Sequence, residues 1–344
     1  MTIEHGTGNL LASDAEALVN TVNTVGVMGK GIALQFKNAY PDAFKAYAAA
    51  CKRGEVETGK MFVFETGQLG PSARYIINFP TKRHWKGKSK LEYIESGLED
   101  LVRVLREYEI KSVAVPPLGC GNGGLEWAVV EPLIRAALNQ LPDVTVYLHA
   151  PDGAPANEDM LIGTKAPGMT GPRAAILAVM RRYLLPDYPL TAIETQKLAY
   201  FIQASGYPMK LNYIKGQYGP YAENLNHALQ ALEGHYVRGY GDRSTEMALR
   251  VLPEAEPRVE AYLQEDEAAA SAVRNVADLV RGFETTYGLE LLATVHWASE
   301  DLKTSDTDAI VEYVQSWTPR KGEIFTPRHV GKALQRLKEA SLVA

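Results

Sequence analysis

Between residues 17 and 150, stretches of strand composition alternate with stretches of helical period, and two of the strand-to-helix turns are rich in glycine. "ALVNTVN" (17–23), "KMFVFET" (60–66), "ARYIINFP" (73–80), "KSVAVPPL" (111–118) and "VTVYLHA" (144–150) have strand composition. Helical patterns lie between them at 29–54, broken at Pro41, at 90–109 and at 127–140. In the second of these, apolar residues at 91, 94, 98, 101, 102 and 105 fall close to one helical face. Strands and helices in alternation have few ways to bury their apolar faces, and a three-layer α/β domain with a mixed sheet is the expected one.

The pattern changes after residue 150. The Pro-, Gly- and small-residue-rich stretch 151–172 has no sustained period and reads as a linker. Beyond it, helices are expected at 173–185, 191–206, 220–233, 257–282, 286–300, 307–317 and 327–341, with short strands near 209–215 and 235–240. Thr191 and Glu194 stand in capping-box spacing at the start of the second of these helices. The expected organisation is therefore an α/β domain over 1–150, a linker, and a mainly helical domain with short strands over 173–344.

Several classes of function are excluded or disfavoured by composition. Two cysteines, Cys51 and Cys120, make no disulfide framework and lack metal-ligand spacing, so a reducing compartment and no bound metal are expected. No apolar run reaches the roughly 18–20 residues of a membrane helix, and Glu4 and His5 interrupt any signal-like start. A cytoplasmic protein is the expectation. The formal net charge is −5, yet residues 1–150 balance 16 basic against 16 acidic side chains. On that background "PTKRHWKGKSK" (80–90) gathers five bases around His84 and Trp85.

The glycine-bearing turns carry the chemistry. "NTVNTVGVMGKGIALQF" (20–36) and "VPPLGCGNGGLEW" (115–127) both lead from a strand into a helix. Glycine allows backbone N–H groups to approach phosphate oxygens, and a helix start adds unpaired donors. Neither turn is a Walker A sequence, and Leu34 breaks a dinucleotide fingerprint. Two such loops in one domain suit a diphosphate held at the carboxyl edge of a sheet.

These stretches, with "GNLLASDAEALVNTVN" before them, resemble the macrodomains, α/β modules that bind ADP-ribose, over residues 1–150. The first loop and the lysine after "YIINFP" are similar to the terminal ADP-ribose glycohydrolase branch. "NTVNTVGVMGKGIALQFK" and "FPTKRHWKGKSKLE" are similar to the DarG family of antitoxins, whose partner DarT toxins ADP-ribosylate thymidine in single-stranded DNA. The resemblance implies an antitoxin enzyme that removes ADP-ribose from DNA without a cofactor. It places Asn9 and Leu10 by the adenine and Asn23 at the distal ribose. Gly29, Lys30, Gly31, Ile32 and Ala33 would form one phosphate-side loop. Gly119, Cys120, Gly121, Asn122, Gly123, Gly124 and Leu125 would form the other, and Lys82 would be the catalytic lysine. Members of this branch pair that lysine with an aspartate near the position of Gly123, which is absent here. Lys82 could then protonate the leaving base or attack the anomeric carbon; a neighbouring charge such as Arg83 would lower its proton affinity. Arg83, His84, Trp85 and Lys86 would meet the DNA, with an aromatic ring stacked on an unpaired base. Hydrolysis of ADP-ribosyl esters on protein carboxylates, or binding of ADP-ribose without turnover, are the rival readings.

Other residues draw simpler assignments. Cys120 reads as a small residue in a tight turn, Glu126 and Trp127 as a helix start, and His149 as structural. In the second half, "QKLAYFIQ" and "YGPYAENLNHAL" are similar to Panacea-type antitoxin domains, which implies a toxin-binding module. Tyr200, Phe201, Tyr207 and Tyr218 read as core. Six acids in 254–267 against Arg258 alone read as a solvated face, or as a mimic of nucleic-acid charge that occupies a basic cleft of the toxin.

Overall fold

The computed structural model describes residues 2–67, 73–151, 155–156, 159–183, 189–243 and 246–343. The chain forms two compact units, one of residues 2–165 with the returning segment 241–243, the other of 166–240 and 246–343. The boundary falls within the stretch expected to be a linker, of which 152–154 and 157–158 lie outside the described residues.

The first unit carries strands β1 (Thr2–Gly6), β2 (Ala17–Asn23), β3 (Phe62–Glu65), β4 (Tyr75–Lys82), β5 (Ser112–Val115) and β6 (Thr145–His149). Its helices are α1 (Gly31–Ala39), α2 (Pro41–Lys52), α3 (Leu91–Glu107) and α4 (Trp127–Leu138). The sheet order is β1-β6-β5-β2-β4-β3, parallel except for β3, which runs antiparallel to β4. Alternation along the strands sorts the two cores. Val19, Ile77, Phe79, Val113, Val115, Val146 and Leu148 pack with Ile94, Leu98, Leu101 and Leu105 of α3 and Val130, Ile134 and Leu138 of α4. On the opposite face, Leu18, Ile76 and Ala114 pack with Phe36 and Ala43, and Val22 with Tyr47 and Ala50, from α1 and α2. This is the mixed-sheet, three-layer arrangement expected, and the strand spacing of two residues produces it.

The unexpected strand is β1. Its sequence, TIEHG, is mostly polar and exposed because β1 lies at the sheet edge and pairs only with β6.

The second unit is mainly helical: α5 (Gly171–Tyr183), α6 (Ala192–Ala204), α7 (Glu223–Leu232), α8 (Glu256–Glu265), α9 (Glu267–Leu279), α10 (Thr286–Leu302), α11 (Thr307–Trp317), α12 (Pro319–Ile324) and α13 (Pro327–Glu339). Two short antiparallel ribbons join them, β7 (Ile214–Gly216) with β8 (Gly219–Tyr221), and β9 (Val237–Arg238) with β10 (Arg250–Val251). The capping box forms as spaced: Thr191 Oγ1 accepts from the Glu194 amide, and the Glu194 carboxylate accepts from the Thr191 amide at 2.9 Å. The helix expected over 257–282 is in fact two helices. Asp266 stops α8, and its carboxylate caps α9 by accepting from the Ala269 amide at 2.9 Å. The last two residues of the helix expected at 173–185 lie outside the described residues. Tyr200, Phe201 and Tyr207 are core; Tyr218, expected there too, is exposed. Among the described residues no helix is long and apolar enough to cross a membrane.

Candidate active site

Strands β5, β2 and β4 are neighbours and parallel, so their carboxyl ends open at one edge of the sheet. Asn23 ends β2, and its register partner across the sheet is Lys82, the last residue of β4. β5 runs into the second glycine loop, which begins α4 at Trp127. The ladder thus aligns the first loop, Lys82 and the second loop.

The two loops meet. A β-carbon at position 31 would lie 3.1 Å from Asn122 Nδ2, and Gly31 has φ +62, a conformation that side-chain-bearing residues rarely adopt. Lys82 Nζ donates to Asn122 O at 3.2 Å. Burial, and then the charge of Lys88, holds the Lys82 ammonium below the ordinary lysine range. The charge that presses on Lys82 is therefore that of Lys88, not of Arg83 as the sequence suggested. Arg83 turns its guanidinium over the Tyr93 ring, 5.8 Å from the centroid. Lys88 Nζ sits close over Gly124, where a β-carbon would lie 3.0 Å from it.

The second loop explains the missing aspartate. A β-carbon at position 123 would stand 2.2 Å from Gly119 O and 2.3 Å from Ser89 Oγ, so no side chain fits there. Ser89 braces this turn from β4's far side of the basic loop, its amide donating to Gly123 O at 3.0 Å. The amides of Cys120, Gly124 and Leu125 are spent within the loop on Pro117, Gly121 and Gly119 carbonyls. Among the described residues the amides of Gly121, Asn122 and Gly123 have no partner. Across from them, α1 leaves the amides of Ile32 and Ala33 in its unpaired first turn. Burial, and then the Glu126 carboxylate, push the Cys120 thiol up to about 11, and it donates to Leu118 O at 3.6 Å. Burial and the nearby carboxylate thus favour the neutral thiol of a turn residue over a thiolate.

Among the other expected site residues Asn23 and Leu10 are buried, whereas Gly29 and Lys30 are exposed. The Asn23 amide organises its own loop, donating to Val27 O at 2.6 Å and accepting from the Val25 and Val27 amides at 3.0 and 3.3 Å. Tyr47 Oη donates to the Asn23 carbonyl beneath it. Asn9 accepts from the Leu11 amide at 3.0 Å, starting a one-turn 3-10 helix over Leu10–Ala12, and Leu10 is buried. Gly29 and Lys30 lead into α1, with Lys30 at its N-cap position.

The basic loop stands in solvent. Trp85 is 49% exposed, stacked on His84 with ring centroids 5.4 Å apart, and Lys86 Nζ lies 4.9 Å from the Trp85 ring centroid. Thr24 Oγ1 donates to Arg83 O at 2.8 Å and ties this loop to the first glycine loop, whose Val25 and Val27 are also exposed. Lys90 is withdrawn from the cluster, paired with Glu92 at 3.1 Å. Lys88 is visible in sequence only as one base of the cluster, and Ser89 has no signature apart from its place in the fold.

A sheet of this order, with two glycine loops over its carboxyl edge, defines a macrodomain, and the Macro domain family matches residues 19–134. The chain belongs to the DNA ADP-ribosyl glycohydrolase family. A protein of that name from Thermus aquaticus (strain ATCC BAA-2747 / Y51MC23) is 47% identical over 330 residues, covering 96% of this chain and 91% of the relative. Another from Mycobacterium tuberculosis (strain ATCC 25618 / H37Rv) is 46% identical over 352 residues, 97% of this chain and 99% of the relative. A DNA ADP-ribosyl transferase-DNA ADP-ribosyl glycohydrolase fusion protein from Thermosipho africanus (strain H17ap60334) is 40% identical over 159 residues, 42% of this chain and 40% of the relative.

Proposed function

We propose that the first unit hydrolyses the glycosidic bond between ADP-ribose and thymine in single-stranded DNA, and that the second unit binds the DNA ADP-ribosyltransferase toxin that makes the modification. Lys82 carries the reading. It is a lysine of lowered proton affinity that donates to the second glycine loop at Asn122 O, with an exposed basic, aromatic loop directly after it. The diphosphate accepts from the amides of Ile32 and Ala33 on one side and of Gly121 to Gly123 on the other. The distal ribose then lies by Lys82, and the attached base projects toward His84 and Trp85. DNA phosphates pair with Arg83 and Lys86, and a neighbouring unpaired base stacks on Trp85.

With no room for a carboxylate at position 123, a lysine adduct has no acid at that position to resolve it. Lys82 acts instead as general acid. As the bond from the anomeric carbon to the base nitrogen breaks, its electron pair passes to thymine, which takes a proton from the Lys82 ammonium. Water adds to the anomeric carbon, and the proton it loses restores the ammonium.

The toxin partner is supported by the fused transferase in the Thermosipho relative. The acidic stretch 254–267 leaves Glu254 and Glu265 exposed to a basic partner. Its other acids have internal partners: Glu256 and Glu260 pair with Arg181, Glu267 with Arg274, and Asp266 accepts from Tyr207 Oη at 2.7 Å.

The test is release of ADP-ribose from a thymidine-modified single-stranded oligonucleotide, run beside a protein bearing glutamate-linked ADP-ribose. Release from the oligonucleotide is expected. Release from the protein alone contradicts the reading, and tight ADP-ribose binding with neither release makes the unit a reader.

A further inference from the structure

Helix α1 begins at the site without a cap of its own. Lys30 stands at the N-cap position with no side-chain hydrogen bond to the helix, and the first turn holds no acidic residue. A helix start leaves amides unpaired and favours a negative group beside it. The partner of this helix comes from far along the chain, 207 residues beyond its own Gln35. Asp242, in the returning segment of the first unit, accepts from the Gly31 amide through its carbonyl at 2.9 Å, and its carboxylate accepts from Gln35 Nε2 at 2.7 Å. Asp242 is 1% exposed and Gln35 5%.

We propose that Asp242 is a positioning residue for ADP-ribose binding: it clamps the first glycine loop at Gly31, so that segment 241–243 completes the site. The inference rests on the reading of this edge as the ADP-ribose site. Gly31 is the residue at which the two loops meet, opposite Asn122, and Asn122 in turn accepts from Lys82. Asp242 is therefore hydrogen-bonded to Gly31, Gly31 lies beside Asn122, and Asn122 is hydrogen-bonded to Lys82. The clamp consumes the Gly31 amide and leaves those of Ile32 and Ala33, one and two residues on, for the ligand. A buried carboxylate is retained only where donors meet it, and one donor here is a side chain of α1 itself, five residues beyond Lys30. The loop's position is thereby fixed before a ligand arrives, which lowers the ordering cost of binding.

The test uses the full chain with Asp242→Ala, Asp242→Asn and Gln35→Met. It reads ADP-ribose titration by calorimetry, amide hydrogen exchange over residues 29–35, and turnover. Asp242→Ala removes the side-chain anchor on which the carbonyl contact depends. It should weaken ADP-ribose binding about tenfold and speed exchange at Gly31, with most of the kinetic loss in KM. Asp242→Asn keeps an acceptor for Gln35 and should recover most of the affinity. Gln35→Met leaves segment 241–243 intact, so it judges the clamp if Asp242→Ala fails to fold, and it should reproduce the effect without adding to it. Unchanged affinity and exchange overturn the proposal. Tighter binding overturns it as well, since the segment would then obstruct the ligand, and a fall in kcat at unchanged affinity would make Asp242 chemical. If the wild-type chain binds no ADP-ribose, the functional reading fails, and with it the ligand role given to Asp242, whatever the exchange at Gly31.

Discussion

Lysines are buried in two different ways in this molecule. In the second unit, Lys321 is fully buried and donates to the Glu290 carboxylate and to Thr294 Oγ1 at 3.1 Å, while Arg320 reaches the same carboxylate at 2.8 Å. Nearby Lys197 donates to Pro220 O at 2.7 Å, and burial with the charge of Lys321 pushes it down to about 7 against the pull of Glu290. In the first unit, Lys82 is half-buried, bonded to a single backbone carbonyl, and pressed by a second lysine. Desolvation weakens all three ammonium groups, but only Lys321 is bonded to a buried carboxylate that holds its proton in place. Lys197 shares with Lys82 a carbonyl partner and a like charge but is fully enclosed, whereas Lys82 stands half-buried beside the two glycine loops, where a proton can be given to a ligand.

Removing each group sharpens that contrast. Lys82→Ala should lower turnover on modified DNA by about 100- to 10,000-fold, the range of a lost general acid, while ADP-ribose affinity by calorimetry stays within a few-fold and the melting temperature holds. A variant that unfolds the first unit would make Lys82 structural and break the comparison. Glu290→Ala should do the reverse. It leaves buried lysines without their counter-charge and should cost about 3–5 kcal/mol of stability, read by urea unfolding of the full chain. A loss under about 1 kcal/mol would mean that the buried cluster is not held by Glu290. The smallest effect belongs to the solvent-exposed edge of the site. Trp85→Ala should weaken binding of modified single-stranded DNA by about 1–3 kcal/mol and leave binding of free ADP-ribose unchanged; equal losses for both ligands would place Trp85 in the ADP-ribose pocket instead.

The sheet and the loops were legible because their signals are local. Strand composition marked β2 to β6, the glycine spacing marked both turns, and the Thr191–Glu194 pair marked the start of α6. What escaped depends on contacts between distant residues or on elements too short for a pattern. β1 is polar because only one neighbour pairs with it, and β8, β10 and α12 are a few residues each. Ser89 and Asp242 are ordinary residues in sequence, and Lys88 is one base of a cluster; a parallel ladder and a returning segment make them part of the site. The glycine at 123 was visible as the lack of an acid, whereas its cause, the carbonyl of Gly119 and the hydroxyl of Ser89 in the space a β-carbon would need, is tertiary.

The measurement that bears most directly on the central claim is the pH dependence of kcat on the thymidine-modified oligonucleotide, wild type beside Lys88→Ala. If Lys82 gives its proton to the leaving base, turnover is high while its ammonium is intact and falls as pH rises through its lowered pKa. Removing the Lys88 charge takes away one cause of that lowering, so the alkaline fall should move to higher pH. Turnover that climbs with pH, or an alkaline fall that Lys88→Ala does not move, would contradict the assignment of Lys82 as the acid.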